Sequence, residues 1–305
     1  MEKKEAKSFN LNMKQYNRYL SDFINYKESF KMINNGSSIV IECRGITWRF
    51  IDYGGVTGRG YHLSKFVHDD AKTFLENNPT ISKVKSENGD ILTDNVDLEV
   101  QKANRNGIKK YLGEQIYCVD VNNCYWDTAY KMGFITQTTY LRGLKKKEWK
   151  IGRNASIGSL SKVVVETNFI NGIRDESTII KPEVDLSIIR DKIVSEVHFS
   201  FLEILKKLEN DWIMYFTDCI YIPLSRVEEV RAYFKDIGYE TKVETYQLDK
   251  FNEETLKVNW YDYQKNIDKS FQFSERQFSL SPMPRYSMPS NNNKRISDNT
   301  DFLEQ

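Results

Sequence analysis

Apolar positions along the chain recur in two periods, and each period predicts a kind of element. From Phe9 to Ile33, residues Tyr16, Tyr19, Leu20, Phe23, Ile24, Phe30 and Ile33 fall near helical spacing, which predicts a helix that Gly36 stops. Ser38–Cys43 and Ile46–Asp52 read as two strands of a hairpin turning at Arg44-Gly45. The glycines from Gly54 to Gly60 predict a loop, and His62–Leu75 a helix. Polar residues from Ser86 to Asp94 mark a boundary near residue 95. Beyond it, Gln115–Val121 predicts a short strand, Tyr125–Met132 a helix, Leu144–Asn154 a basic helix and Lys162–Phe169 a β-branched strand. Leu186–Leu208 carries the clearest helical stripe, through Ile189, Ile193, Val197, Phe201 and Leu205. Trp212–Ile222 is apolar apart from Asp218 and reads as a hairpin. Arg226–Phe234 predicts a helix, and Tyr239–Tyr246 and Leu256–Tyr263 predict strands. From about residue 269 onward Ser, Asn and Pro dominate, and a disordered tail is expected over 269–305. Helices and strands are mixed and part of the sheet is a hairpin, so the fold class is α+β. The expected division is an N-terminal α+β region over 1–95 and a second domain over 96–268.

Composition narrows this little. Of 305 residues 40% are hydrophobic and 29% charged, enough for a folded core, and the net charge of +1 neither favours nor excludes a nucleic-acid partner. Four cysteines without a Cys-x-x-Cys pair and three histidines argue against a structural zinc site. Three of those cysteines lie in apolar runs, as reduced thiols in a cytoplasm would. The charged N-terminus lacks the apolar run of a signal peptide, and no stretch approaches the ~20 apolar residues of a membrane span.

Two acids stand where acids are costly. Asp120 ends the run Ile116-Tyr117-Cys118-Val119, and Asp218 interrupts Trp212–Ile222. An ionised carboxylate in such a segment needs a partner or a metal. The two lie 98 residues apart, which allows them to meet on adjacent strands. A pair of carboxylates with water and substrate phosphates suits Mg²⁺, and two such ions clamp an in-line phosphoryl displacement. The plainer alternative is that each aspartate caps a strand or turn.

The sequence around these acids resembles family B DNA polymerases. Asp120-Val121-Asn122-Asn123-Cys124-Tyr125 is similar to the motif Asp-x-x-Ser-Leu-Tyr-Pro, in the Asp-Val-Asn form of the protein-primed bacteriophage branch, with Trp126 in place of proline. Lys150-Ile151-Gly152-Arg153-Asn154-Ala155-Ser156-Ile157-Gly158 resembles Lys-x-x-x-Asn-Ser-x-Tyr-Gly, with Ile157 replacing the tyrosine. Tyr215-Phe216-Thr217-Asp218-Cys219 resembles Tyr-x-Asp-Thr-Asp-Ser, with Phe216 replacing the first aspartate. Asn106-Gly107 is similar to the family's template-contacting Tyr-x-Gly-Gly loop. Phe50-Ile51-Asp52 and Leu63-Ser64-Lys65 resemble the end of its exonuclease domain. Asp97-Leu98-Glu99 lies too late for that domain's metal motif, so no proofreading is expected.

The resemblance implies a polymerase palm with an antiparallel or mixed sheet backed by helices, and minimal fingers, because only 34 residues separate Asp120 from Asn154. It implies Asp120 and Asp218 as catalytic residues, and those two with Val121 as ligands of Mg²⁺ or Mn²⁺. Tyr125, Lys150, Arg153 and Asn154 would bind the nucleotide, with Lys146 or Lys147 near the same face. Gly107, Gly158 and Tyr261 would contact nucleic acid. The implied partners are dNTP, a DNA template and primer, and a protein primer or accessory protein. Membranes are not among them, and the setting is the cytoplasm of a bacterial host. Two alternatives stand beside this reading: a palm without chemistry that binds nucleic acid or protein, and a single-strand binding module that stacks bases on its aromatic residues.

Overall fold

The computed structural model describes residues 7–34, 38–51, 56–82, 101–145, 149–162, 164–180 and 184–280. They form two sheets and a layer of helices, an α+β arrangement.

The sheet that carries the acids has the order β13-β12-β11-β6-β10-β9-β5, and every neighbouring pair is antiparallel. Its strands are β5 (Gln101–Ala103), β6 (Gln115–Val121), β9 (Met214–Phe216), β10 (Cys219–Ile222), β11 (Thr241–Asn252), β12 (Lys257–Asp262) and β13 (Ile267–Gln272). Two helices, α8 (Ser187–Leu208) and α9 (Val227–Asp236), connect the middle strands. The run β6-α8-β9-β10-α9-β11 is thus a split β-α-β-β-α-β unit with β6 between β10 and β11. Alternation along the strands fills both faces. Val119 and Val121 of β6 and Ile220 and Ile222 of β10 pack under Phe201, Leu205, Val230 and Phe234 of the two helices. Ile116, Cys118 and Tyr221 face the other way, into a layer with Tyr246, Trp260 and Phe273.

The first half of α8 belongs to a second core. Ile189 and Ile193 share it with Leu63, Val67 and Ala71 of α2 (Val56–Asn77), Ile81 of α3 (Pro79–Ser82), Trp126 and Ala129 of α5 (Cys124–Lys131), and Ile157 of α7 (Lys150–Gly158). Between α5 and α7 lies α6 (Gln137–Leu144). There Gly143 lets the helix touch the Trp126 ring, since a Cβ at that position would lie 2.4 Å from it.

The other sheet has the order β1-β4-β3-β2-β7-β8: β1 (Lys7–Asn12), β2 (Phe30–Asn34), β3 (Ser38–Cys43), β4 (Ile46–Ile51), β7 (Val164–Ile170) and β8 (Ile173–Ile180). Only β1 and β4 run parallel. One face is covered by α1 (Tyr16–Asn25) through Tyr16, Tyr19, Leu20 and Phe23. The expected turn at Arg44-Gly45 is present, with φ of +51° and +75°, the two left-handed residues that a two-residue hairpin prefers. Strands β2 and β7 pair, so this sheet draws on residues from both sides of the boundary expected near 95, while the polar stretch 86–94 lies outside the described residues.

Several elements differ from their sequence patterns. The helix expected over Phe9–Ile33 survives only as α1; its two ends pair with β4, β3 and β7 instead, because Phe30 and Met32 fit a strand's alternation as well as a helix's spacing. The loop expected at Gly54–Gly60 is helical from Val56 on, and residues 52–55 lie outside the described residues. The basic helix expected over Leu144–Asn154 is the end of α6 and the start of α7; Lys146 and Lys147 lie outside the described residues. The disorder expected from residue 269 does not hold over 269–280. Strand β13 runs to Gln272, and Phe273 and Phe278 close the aromatic core; 281–305 lie outside the described residues. Strand β8 has no apolar alternation in its centre and every residue of it is exposed, so its pairing with β7 left no mark in the hydrophobic pattern.

Gly107 sits in α4 (Arg105–Lys110), buried against the chain at Trp212, where a Cβ would lie 1.8 Å from the Trp212 carbonyl oxygen. That backbone cannot give way without breaking the start of β9. Gly107→Ala is therefore expected to cost about 3 kcal/mol or more. Gly113→Ala, with open space around its Cβ but a φ of +81°, is expected to cost about 1 kcal/mol. Thermal unfolding of the two variants side by side checks the ordering.

Candidate active site

The end of β6 brings the two acids together. Asp120 is the cross-strand partner of Cys219 on β10 and of Lys242 on β11. Strands β9 and β10 are joined by the two-residue loop Thr217-Asp218, and the backbone N–H of Val121 donates to the Asp218 carbonyl at 2.9 Å. Asp218 thus lies beside the strand end that carries Asp120. Strand alternation turns Asp120 to the face away from α8 and α9.

The electrostatics follow from burial. The Asp120 side chain is 20% exposed; its Oδ2 lies 3.5 Å from Lys242 Nζ, and its Oδ1 is buried with no hydrogen-bond partner. Burial raises its pKa, and Lys242 and Lys150 offset this only in part. Asp218 is pushed up to about 6, by burial first and by the charge on Asp120 second, with Lys150 opposing. Each carboxylate is therefore only partly compensated by positive charge, and a cation between them would supply more. The donor set fits a hard divalent ion such as Mg²⁺, which takes one or two carboxylates and completes its shell with water and phosphate oxygens. Among the described residues no group of three or more His, Cys, Asp or Glu converges, at this pair or elsewhere, so a metal here would rest on the two carboxylates with water or substrate oxygens.

The loop that carries Asp218 is strained and braced. Thr217 has a φ of +52°, an uncommon conformation for a β-branched residue and one that hairpins of this length usually give to glycine. Its carbonyl accepts from the hydroxyls of Tyr125 and Tyr215, each at 3.3 Å. Tyr215 is fully buried, and its hydroxyl lies 3.1 Å from Nδ1 of the equally buried His198. Strain held by surrounding structure is characteristic of functional sites. Tyr125, expected beneath a sugar, is half-buried with its hydroxyl turned to the Asp218 loop, and burial pushes its pKa far up.

On α7 the residues divide. Lys150, Asn154 and Gly158 share an exposed face at four-residue spacing, and the charge of Lys150 reaches both aspartates. Arg153 stands about 100° round the helix from Asn154 and turns inward. Its guanidinium donates to the Gly143 carbonyl at 2.8 Å and to Asn123 Oδ1 at 2.6 Å. Both contacts brace the segment after Asp120, so Arg153 reads as a scaffold residue rather than a phosphate contact. Ile157, at the place of the resembled motif's tyrosine, is buried in the second core and does not face the acids. Phe216, where the motif has its first aspartate, packs 5.1–5.9 Å from the rings of Tyr221, Trp260, Phe271 and Phe273.

Of three further residues expected at the site, Val121 adjoins Asp120 while Gly107 and Tyr261 lie apart from it. Val121 has its side chain in the core and its N–H on the Asp218 carbonyl. Gly107 is a close-packing residue. Tyr261 pairs through Gln247 with Gln115, five residues before Asp120, or about 17 Å along the strand, and on the opposite face. Asp97 and Glu99 lie outside the described residues. Sequence reasoning missed Lys242 and the His198–Tyr215 brace. The alternating Lys242, Glu244 and Tyr246 marked one polar face of a strand, but nothing along the chain told that this strand lies beside β6.

Comparison with protein-family models, curated proteins and solved structures finds no match for this chain.

The raised pKa of Asp218 has a signed consequence. The folded state holds the proton more tightly than the unfolded chain, so stability from this group is full below about pH 4 and is lost as pH rises through about 6. The loss is at most about 3 kcal/mol. Without metal, Asp218→Asn is expected to melt higher than the parent at about pH 8 and to lose that advantage near pH 4. Thermal unfolding at the two pH values in chelator measures it.

Proposed function

We propose that this protein is a Mg²⁺- or Mn²⁺-dependent nucleotidyltransferase of the DNA-polymerase type. It would join dNTPs to a primer hydroxyl on DNA or on a protein, along a DNA template. The observation that carries the proposal is the pair of aspartates at one end of the sheet, Asp120 on β6 and Asp218 in the neighbouring β9–β10 loop, both under-compensated in charge, one with a buried oxygen lacking any partner. The split β-α-β-β-α-β unit supports it, because a palm also presents its carboxylates from the middle strands of such a sheet. So does the exposed face of α7, whose Lys150 reaches the same two acids.

In this reading Asp120 and Asp218 would hold the metal ions, whose charge would favour an in-line displacement at phosphorus. Lys150 offers a point charge and Asn154 a hydrogen-bonding amide to the nucleotide, and Gly158 leaves room beside them. Tyr125, Tyr215 and His198 act on Asp218 through Thr217, as positioning residues. The bond that forms joins the primer oxygen to the α-phosphorus, and pyrophosphate leaves. No helix among the described residues is long and apolar enough to cross a membrane, and a bacterial cytoplasm suits dNTP chemistry.

A second reading is a palm that binds nucleic acid or protein without chemistry. It is favoured by Lys242, which already neutralises part of the Asp120 charge at 3.5 Å, and by Phe216, which fills the place of an acid. Labelled dNTPs with Mg²⁺ or Mn²⁺, with and without primed template, separate the two. Catalysis predicts labelled DNA or labelled protein, reduced about 10³-fold or more in Asp120→Asn and Asp218→Asn with the fold retained. Equal labelling by parent and variants contradicts the assignment, and no labelling by the parent favours the binding role.

A further inference from the structure

Lys242 stands between two carboxylates. Its Nζ lies 2.6 Å from Glu244 Oε1 and 3.5 Å from Asp120 Oδ2. Glu244 is itself anchored, because its second oxygen accepts from the Tyr246 hydroxyl at 2.8 Å. All three side chains project from β11 to one face by strand alternation, and Lys242 is the register partner of Asp120. The ammonium's tight contact is therefore with Glu244 and its looser one with Asp120. Its side chain is 41% exposed, so it is free to shift along this row. No other cation makes an ion pair with Asp120 among the described residues.

We propose that Lys242 is a resident counter-cation of the site, held on Glu244, that shields Asp120 in the metal-free protein and yields it when a divalent ion enters, so that Lys242 and Glu244 together set the metal affinity. The inference rests on the nucleotidyltransferase reading, since it takes the aspartate pair as the metal site. An ammonium 3.5 Å from a metal ligand opposes an entering cation by direct charge repulsion. Glu244 draws the ammonium off Asp120 and so favours entry. The two residues form one ion pair yet push metal affinity in opposite directions. A pair that merely stabilised the strand would, on losing either member, weaken the site the same way.

The test is binding of Mn²⁺ alone to the full chain, followed by electron paramagnetic resonance of the free ion, at a pH well above the titration of both aspartates. Lys242→Met is expected to bind Mn²⁺ about fivefold more tightly than the parent, and Lys242→Gln to shift affinity the same way. Glu244→Gln is expected to bind several-fold more weakly, and to have little effect when made in Lys242→Met. Affinity unchanged or weakened in both lysine variants overturns the proposal, as does an equal effect of Glu244→Gln in both backgrounds. The underlying reading fails separately: it is lost if the parent binds no Mn²⁺, or binds it as tightly after Asp218→Asn.

Discussion

The structure turns on a carboxylate carried by a central strand. Strand β6 is paired on both edges, by β10 and β11, so its end is fixed by backbone hydrogen bonds on either side. Asp120 stands on that end, where desolvation makes its charge costly. A residue on a loop would relieve such a cost by moving toward water; one on a doubly paired strand cannot. The cost persists in the folded protein, and much of what surrounds Asp120 bears on it: Lys242 from β11, Lys150 from α7, and the second aspartate placed alongside rather than a compensating base.

Asp218 is fixed by different means. It lies in a two-residue loop, normally the least constrained part of a hairpin, yet the loop is held at both levels. Its carbonyl accepts the Val121 N–H, and the left-handed Thr217 before it is tied through its carbonyl to Tyr125 and Tyr215. His198 behind Tyr215 links this brace to the middle of α8, the helix that joins the sheet's core to the second helical core. A change in how α8 packs would thus reach the Asp218 loop through two hydrogen-bonded side chains, His198 and Tyr215, and the Thr217 carbonyl. Arg153 performs the matching service on the other side, holding Asn123 and α6 and so the turn that follows Asp120.

What was legible in the sequence was what depends on one segment alone. The short apolar run of Gln115–Val121 gave β6 to the residue, the stripe of Ile189 to Leu205 gave α8 within one residue, and the interruption of apolar runs singled out both acids. What was not legible depends on partners distant in the chain. Phe30–Asn34 is a strand because β3 and β7 flank it, and Ile173–Ile180 is a strand with no buried face at all. Arg153 looked like part of a basic face until Gly143 and Asn123 supplied carbonyl oxygens for it to face. Lys242 is the clearest case. Its place beside Asp120 comes from the strand order β11-β6-β10, and no local pattern encodes that order.

The claim that Asp120 and Asp218 share a divalent ion is tested most directly by crystals of the protein soaked with Mn²⁺ and a non-hydrolysable dNTP, read by anomalous scattering. The account predicts a manganese peak in coordination contact with both carboxylates, with the triphosphate beside it and the Lys242 ammonium shifted toward Glu244. A dNTP bound elsewhere, or manganese that leaves either aspartate without contact, would contradict it.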